Sequence, residues 1–305
     1  MNWIRWLDFI FCSWQIKAVA LNKLEQLQGL LRSYGSCLVA YSGGVDSVFL
    51  AFVAHEVLGE KSLAVLADSA SLPRRELEEA VAIAGQFSIP LQIIRTQEFE
   101  NPAYVANPNN RCYFCKHELF TQLAPLARNG NFAVVAYGEN ASDIGDHRPG
   151  AQAAGQFQVR APLKEVGLTK SEIRALSSEM GLPTADKPQM ACLSSRVPYG
   201  ETVTPEKLRM IEEAEYVLRD LGFHDVRVRH HEGAGGGRAG SLARIEVGAD
   251  EIPKLLVNEM FTRVAEALRK IGYAHVTLDL QGYRRGSLNE APFATAKPSA
   301  LNKVT

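Results

Sequence analysis

A seven-residue stretch, Tyr41-Ser42-Gly43-Gly44-Val45-Asp46-Ser47, carries the residue types needed to bind a phosphate group. It follows an apolar run at 36–40, which predicts a buried strand, and precedes an apolar run at 48–53, which predicts a helix. A glycine-rich turn between strand and helix lets the backbone approach an anion, and the helix dipole favours negative charge there. The spacing differs from Gly-x-x-x-x-Gly-Lys-Ser/Thr, so the Walker-type phosphate loop is excluded.

The expected roles within this loop divide among backbone, hydroxyl and carboxylate groups. The backbone N–H groups of Gly43 and Gly44 and the hydroxyls of Ser42 and Ser47 are predicted to hold phosphate. Asp46 is predicted either to orient the loop or to bind magnesium, since Mg²⁺ prefers carboxylate oxygens.

Two other predicted strand ends carry polar residues. Asp68 and Ser69 end a strand predicted at 62–68, and the run from Gly138 to Asp143 follows a strand predicted at 132–138. Ligands of open parallel sheets bind beyond the carboxyl ends of the strands. Asp68, Ser69, Gly138 and Asp143 are therefore candidate ligand contacts, and Asp143 and Asp146 are candidate magnesium ligands. The alternative at each strand end is an ordinary solvated turn.

Cysteines form the second group that could do chemistry. Cys112 and Cys115 make a Cys-x-x-Cys pair, and Cys192 lies in a segment rich in proline and serine. Three thiolates suit a [4Fe–4S] cluster that leaves one iron open to an outside ligand. A structural zinc site would need a fourth ligand, either His117 or Cys37. The third alternative is thiols without metal, or a disulfide between Cys112 and Cys115.

Composition limits the class of protein. The chain has 305 residues, 46% apolar and 22% charged, with a formal net charge of −1. The absence of a basic excess favours a small-molecule substrate over a nucleic acid. Five unevenly spaced cysteines do not resemble a disulfide framework, so a reducing, cytoplasmic location is expected. No apolar run is long enough to predict a membrane span, and Arg5 and Asp8 interrupt the apolar N-terminus.

Alternating strand and helix patterns must position these residues. Apolar runs at 62–68, 91–95 and 132–138 predict strands, Pro73 opens a predicted helix to Gln86, and Thr169 to Glu172 form a capping box. Such alternation predicts an α/β fold, a parallel sheet with helices on both faces. From residue 204 the pattern changes to α-β-β-α-β, with a helix predicted at 250–271, so a smaller C-terminal α+β domain is expected.

The predicted domain organisation has four parts. An N-terminal extension covers residues 1–18, the parallel-sheet domain covers 19–200, and the C-terminal α+β domain covers 201–290. Residues 291–305 have little pattern and are predicted to be a disordered tail.

The Ser-Gly-Gly-x-Asp-Ser pattern is the signature of the PP-loop ATP pyrophosphatases, and the whole chain resembles the LarE family of PP-loop sulfur transferases. LarE proteins act in the synthesis of the nickel-pincer nucleotide cofactor. The stretches that carry the resemblance are 41–47, 110–116, 192–200, 243–246 and 279–287.

The resemblance implies a PP-loop fold and ATP with Mg²⁺ as cofactors. ATP would adenylate a carboxylate of a pyridinium dicarboxylate mononucleotide, and the acyl-adenylate would then receive sulfur to become a thiocarboxylate. Asp68 and Ser69 would contact adenosine, and Arg196 would bind the substrate phosphate or its second carboxylate. A homo-oligomer such as a hexamer is also implied, whereas the sulfur donor is not.

Two variants of the family differ in their source of sulfur. In one, a single cysteine at the position of Cys192 forms a thioester and surrenders its own sulfur. In the other, three cysteines hold a [4Fe–4S] cluster whose open iron carries the transferred sulfide. Because Cys112 and Cys115 accompany Cys192, this sequence resembles the three-cysteine variant, and these three are the candidate catalytic and metal-binding residues.

Three other functions remain as alternatives. A PP-loop tRNA thiolase could also use three cysteines but would need a basic face. An amide-forming PP-loop ligase has no use for three cysteines. A zinc-stabilised nucleotide-binding module would bind ATP without releasing pyrophosphate.

Overall fold

The computed structural model describes residues 3–143, 149–189, 191–233 and 240–284, and for residues 3–18 it describes the backbone alone. The chain divides into two compact units. The first contains residues 1–195 and 202–208, and the second contains 196–201 and 209–305. The predicted tail at 291–305 and the candidate ligand Asp146 lie outside the described residues.

The first unit is built from alternating helices and strands. Its elements in chain order are α1 (Trp3–Tyr34), β1 (Cys37–Tyr41), α2 (Val45–Leu58), β2 (Ser62–Asp68), α3 (Arg74–Gln86), β3 (Leu91–Arg95), α4 (Pro102–Val105), α5 (Arg111–Asn129), β4 (Val134–Tyr137), α6 (Pro149–Gln156), α7 (Pro162–Glu165) and α8 (Lys170–Glu179). Helix α1 runs without interruption across residue 18, where the sequence predicted the N-terminal extension to end.

The sheet of this unit is parallel, with strand order β3-β2-β1-β4. Strands β2 and β3 lie on one side of β1, and β4 lies on the other side. The strand order therefore reverses between β1 and β4, and open α/β sheets bind ligands at this topological switch point. The loops after these two strands are those that the sequence singled out, residues 41–47 and 138–143.

Both faces of this sheet are covered, as the α/β prediction requires. Every residue of β1 is buried. Cys37, Val39 and Tyr41 face a core that includes residues of α1, α2, α3 and α8, whereas Leu38 and Ala40 face a second core that includes residues of α5 and α6. Burial raises the pKa of the Cys37 thiol to about 12, so Cys37 behaves as a small apolar residue.

Local sequence signals place most of the boundaries. The strands predicted at 62–68 and 91–95 form as predicted, whereas the strand predicted at 132–138 is limited to β4. The capping box forms at α8, where the Thr169 N–H donates to Glu172 and the Glu172 N–H donates to Thr169. Together these findings confirm the predicted fold class.

The second unit has a smaller sheet with strand order β5-β6-β7, antiparallel and then parallel. The elements are α9 (Pro205–Asp220), β5 (Val226–His231), β6 (Leu242–Val247), α10 (Ile252–Leu255), α11 (Met260–Ile271) and β7 (His275–Leu278). Apolar residues of α9, α11 and all three strands form its core.

One element of this unit differs from its prediction. The helix predicted at 250–271 is two helices, because Asn258 and Glu259 adopt left-handed backbone angles with φ of 52° and 57°. A right-handed helix cannot continue through such residues. The hydrophobic periodicity of the segment did not reveal this break. Among the described residues, no helix is both long and apolar enough to cross a membrane.

A buried ion pair lies in the second unit. Arg196 is fully buried and donates from Nε and Nη2 to Glu215 at 2.9 and 3.0 Å. Glu215 also accepts from the Val228 N–H at 3.1 Å. Burial opposes ionisation of Glu215, but Arg196, together with the charge of Arg227 and the Val228 N–H, outweighs burial and holds the pKa of Glu215 below its usual range.

Arg196→Met should destabilise the protein by about 3–5 kcal/mol, because Glu215 would remain buried without its partner. Urea denaturation measures the change. The matched control is Arg209→Met, which breaks an exposed pair with Glu213 and should cost about 0.5 kcal/mol or less. Because the pKa of folded Glu215 is lowered, the contribution of the pair should be fully present above the ordinary carboxyl pKa and lost as the pH falls from there through the lowered pKa of the folded protein. Equal losses in the two variants would contradict this prediction.

Candidate active site

The phosphate loop between β1 and α2 is closed by its own serines. The Ser42 N–H donates to Ser47 Oγ at 3.1 Å, the two hydroxyl oxygens lie 3.0 Å apart, and Ser47 Oγ donates to the Gly44 carbonyl at 3.0 Å. Gly44 is the residue before α2 and no side chain caps this helix. Backbone N–H groups at the start of α2 are therefore available to an anion.

Gly43 has a structural reason to be glycine. Its φ is +72°, and a Cβ at this position would lie 2.6 Å from Cβ of Ala80 on α3. The loop thus adopts a left-handed turn and packs directly on α3.

Gly138 brings the loop after β4 against the phosphate loop. A Cβ at Gly138 would lie 2.9 Å from the backbone N of Ser47 and 3.2 Å from Cβ of Asp46. The Gly138–Asp143 run therefore lies at the start of α2, as the sheet topology requires. The role predicted for Gly138 is consistent with this close approach.

Asp46 is the main charged group at this junction. Its Oδ2 accepts from Lys170 Nζ at 2.7 Å, while its Oδ1 is buried and has no partner at hydrogen-bond distance among the described residues. The Asn140 side chain is near enough to favour the charged form of Asp46. Burial raises the pKa of Asp46; Lys170 opposes this shift and Asp143 adds to it. A cation beside Oδ1 would offset both the burial and the charge of Asp143.

Asp68 and Ser69 lie where the sequence placed them, at the carboxyl end of β2. They line an open hollow of about 310 Å³ together with Arg74, Arg95 and neighbouring residues. Asp68 accepts from Arg74 Nη1 at 2.6 Å, and the Ser69 carbonyl accepts from Nη2 at 2.6 Å. Two arginines and the Asp68 carboxylate make part of its wall polar, which suits an anionic or hydrogen-bonding ligand.

The three cysteines singled out by the sequence occupy one neighbourhood of the first unit. Cys112 and Cys115 lie in the first turns of α5, and Cys112 and Cys192 are exposed to solvent. Burial raises the pKa of Cys115 to about 12, with Cys192 as the next largest cause. Desolvation by the surrounding protein is the largest cause that raises the pKa of Cys112, and the charge of Cys192 is the next. The positive charges of Arg111 and Lys116 oppose this shift. The thiols therefore influence one another electrostatically.

A buried hydrogen-bond network holds the Cys192 segment in place. The Leu193 N–H donates to the Ser71 carbonyl at 2.9 Å, and the Ser71, Tyr104 and Ser194 hydroxyls lie 2.6–3.1 Å from one another. Ser71 is two residues beyond Ser69. This network therefore places Cys192 beside the end of β2, next to the polar hollow.

Arg111 ties the same segment to the start of α5. Its buried guanidinium donates to the Ser194 carbonyl at 3.0 Å and to the Asn107 side chain, and it also hydrogen-bonds Cys112. In the described part of the chain, however, no three His, Cys, Asp or Glu side chains are placed to hold a metal ion in their present positions.

Arg196, the other predicted catalytic residue, lies in the buried pair with Glu215 described above. Its guanidinium is fully buried. For Arg196 to bind substrate directly, this pair would have to open.

Comparison with known proteins identifies the family, although no family model matches the chain. A protein of Lactiplantibacillus plantarum, pyridinium-3,5-bisthiocarboxylic acid mononucleotide synthase, is 32% identical over 274 residues, covering 90% of this chain and 96% of the relative. The chain belongs to the LarE family. An uncharacterized protein of Synechocystis is 44% identical over 88% of this chain and 97% of its own length.

More distant relatives of this LarE protein include a GMP synthase of Rippkaea orientalis, 28% identical over 60% of this chain and 39% of the synthase. Membership of the LarE family confirms that the chain is an enzyme, and the relatives support the transferase and ATP-binding predictions.

Several residues of the site escaped the sequence reasoning. Lys170 follows the capping residue of α8 and was read only as part of a helix start, and Lys187 and Arg111 had no pattern of their own. Tyr104, Ser71 and Ser194 are ordinary polar residues in the sequence. The roles of these residues depend on contacts with residues far away in the sequence. No local sequence pattern could therefore have identified them.

Proposed function

We propose that this chain is an ATP-dependent sulfur transferase that converts carboxylates of a pyridinium dicarboxylate mononucleotide into thiocarboxylates. The observation that carries the proposal is the network from Ser71 to Leu193 and Ser194, which joins the nucleotide side of the site to the Cys192 segment. The Lactiplantibacillus relative, a pyridinium-3,5-bisthiocarboxylic acid mononucleotide synthase, supports the choice of substrate.

The phosphate loop would bind the β and γ phosphates of ATP. The N–H groups at the start of α2 and the hydroxyls of Ser42 and Ser47 would hold these groups, and the hollow beside Asp68 and Ser69 would take the adenosine. A substrate carboxylate oxygen would then attack the α phosphorus, and pyrophosphate would leave. Donors fixed by the loop stabilise the charge that develops on the leaving group.

The residues present suit magnesium. Asp46 has a buried oxygen with no partner at hydrogen-bond distance among the described residues, and Asp143 is close enough to affect its pKa. Two carboxylates at the start of a phosphate-binding helix are an appropriate donor set for an ion shared with ATP phosphates. Magnesium would supply charge neutralisation on the pyrophosphate.

The thiols also suit a cluster by donor type, and Cys192 raises the pKa of the other two, although as placed they form no metal-binding group among the described residues. Cys112, Cys115 and Cys192 would be its three ligands, and a [4Fe–4S] cluster with one open iron would supply sulfide to the activated carboxylate. Arg111 and Lys116 provide positive charge beside the thiolates.

Two other predictions attach to this proposal. A homo-oligomer remains expected, and the sulfur donor is not identified by the chain. Donation of sulfur by Cys192 alone is the second candidate mechanism, because its thiol is exposed at the site.

The proposal is tested on protein purified without oxygen. Incubation with ATP, Mg²⁺ and the dicarboxylate mononucleotide should release pyrophosphate. Mass spectrometry should show that sulfur has replaced a carboxylate oxygen of the mononucleotide. Pyrophosphate release without any sulfur-containing product would contradict the proposed reaction.

Metal content separates the two sulfur sources. We expect about four irons per chain, with matching sulfide, and loss of both in Cys112→Ala. Cys37→Ala, which alters a thiol buried in β1, should retain the iron and serves as the control. Protein without iron or zinc that still transfers one sulfur per chain would instead support donation by Cys192.

A further inference from the structure

Lys187 reaches the phosphate loop from a distant part of the chain. Its Nζ lies 3.4 Å from the Gly43 carbonyl, 2.6 Å from Glu76 and 2.8 Å from Glu79. The side chain is only 9% exposed. Its backbone is fixed too, since Arg174 on α8 donates to the Lys187 carbonyl at 2.6 Å.

The charges near the phosphate loop indicate a role for Lys187. Residues 41–47 contain no cation, in contrast to loops that carry their own lysine. Glu76 and Glu79 lie on α3, the helix on which Gly43 packs. A polyphosphate bound at the loop would be repelled by these carboxylates unless a cation intervened.

We propose that Lys187 is a phosphate-binding residue that transfers its ammonium group from Glu76 and Glu79 to the polyphosphate of the bound nucleotide. This inference rests on the proposed function for its ATP site. The three N–H donors of the ammonium group can bond phosphate oxygens in place of the two carboxylates. Lys187 is also five residues before Cys192, so the group that senses phosphate lies on the segment that carries the thiol.

The simpler role for Lys187 is to neutralise the two glutamates, and the experiment separates the two roles. Calorimetry with inorganic pyrophosphate and Mg²⁺ compares wild type, Lys187→Met and the triple variant Lys187→Met/Glu76→Gln/Glu79→Gln. Lys61→Met, at an exposed position, is the control.

We expect Lys187→Met to bind pyrophosphate about 10- to 100-fold more weakly, as for loss of a hydrogen bond to a charged group. The triple variant should remain weaker than wild type because the phosphate contact is still missing. Lys61→Met should bind normally.

Wild-type affinity in Lys187→Met, or restored affinity in the triple variant, would overturn the proposal. If the single variant does not fold, the triple variant, which removes the three charges together, still decides the question. Because binding is measured rather than product, protein that binds pyrophosphate but transfers no sulfur would refute the proposed function and leave the assignment of Lys187 intact.

Discussion

Cys192→Ala is expected to abolish thiocarboxylate formation, by about 10⁴-fold or more, while pyrophosphate release continues. Both candidate sulfur sources require the Cys192 sulfur, as a cluster ligand or as the donor itself. The groups proposed to bind ATP are Lys187 and residues of the loops after β1, β2 and β4, and none of them is a cysteine. Single-turnover assays with mass spectrometry of the product and a coupled pyrophosphate assay measure the two half-reactions separately.

The cysteine variants together identify the source of sulfur. If the three thiols act as one set, Cys112→Ala and Cys115→Ala should lose as much sulfur transfer as Cys192→Ala, whereas Cys37→Ala should keep it. If Cys192 donates its own sulfur, only Cys192→Ala should lose the product. Product formation at the wild-type rate by Cys192→Ala would be incompatible with either mechanism.

Gly43→Ala should destabilise the first unit by about 2–4 kcal/mol and weaken ATP binding. The positive φ of Gly43 costs a residue with a side chain about 1–2 kcal/mol, and the added Cβ would lie 2.6 Å from that of Ala80. Relief of this overlap requires the loop or α3 to move, which would displace the N–H groups that bind phosphate. Thermal denaturation and calorimetric titration with an ATP analogue measure the two effects.

Gly44→Ala is the matched control in the adjacent position. Gly44 has φ of −83° and ψ of 159°, which any residue adopts, and the nearest atom to an added Cβ is Ser42 Oγ at 3.5 Å. The free energy of unfolding of Gly44→Ala should therefore differ from that of wild type by about 1 kcal/mol or less. Equal destabilisation by the two substitutions would show that the packing of the loop on α3 is not what requires Gly43.

The sequence alone was sufficient for the parallel sheet and its ligand-binding edge. Strand β2 forms at the predicted residues because its continuous apolar run between turn signals needs burial. Strand β3 also forms at the predicted residues, but it is an edge strand in which no residue is fully buried. The phosphate loop and the capping box of α8 could also be predicted from short segments of sequence, because their hydrogen bonds join residues only a few positions apart. The cysteines were also identified, because few residue types bind iron or donate sulfur.

Tertiary structure decided which charged groups act at the site. Lys170 and Lys187 reach the phosphate loop across 124 and 144 residues, and Arg111 reaches Ser194 across 83. Arg196, close to Cys192 in sequence, instead lies in a buried pair with Glu215. Apolar burial and local hydrogen bonds follow short-range patterns, whereas a long charged side chain pairs with whichever opposite charge the fold brings near. The sequence therefore determined the scaffold and the candidate thiols, and the fold alone selected the lysines and arginines that lie beside the phosphate loop and the Cys192 segment.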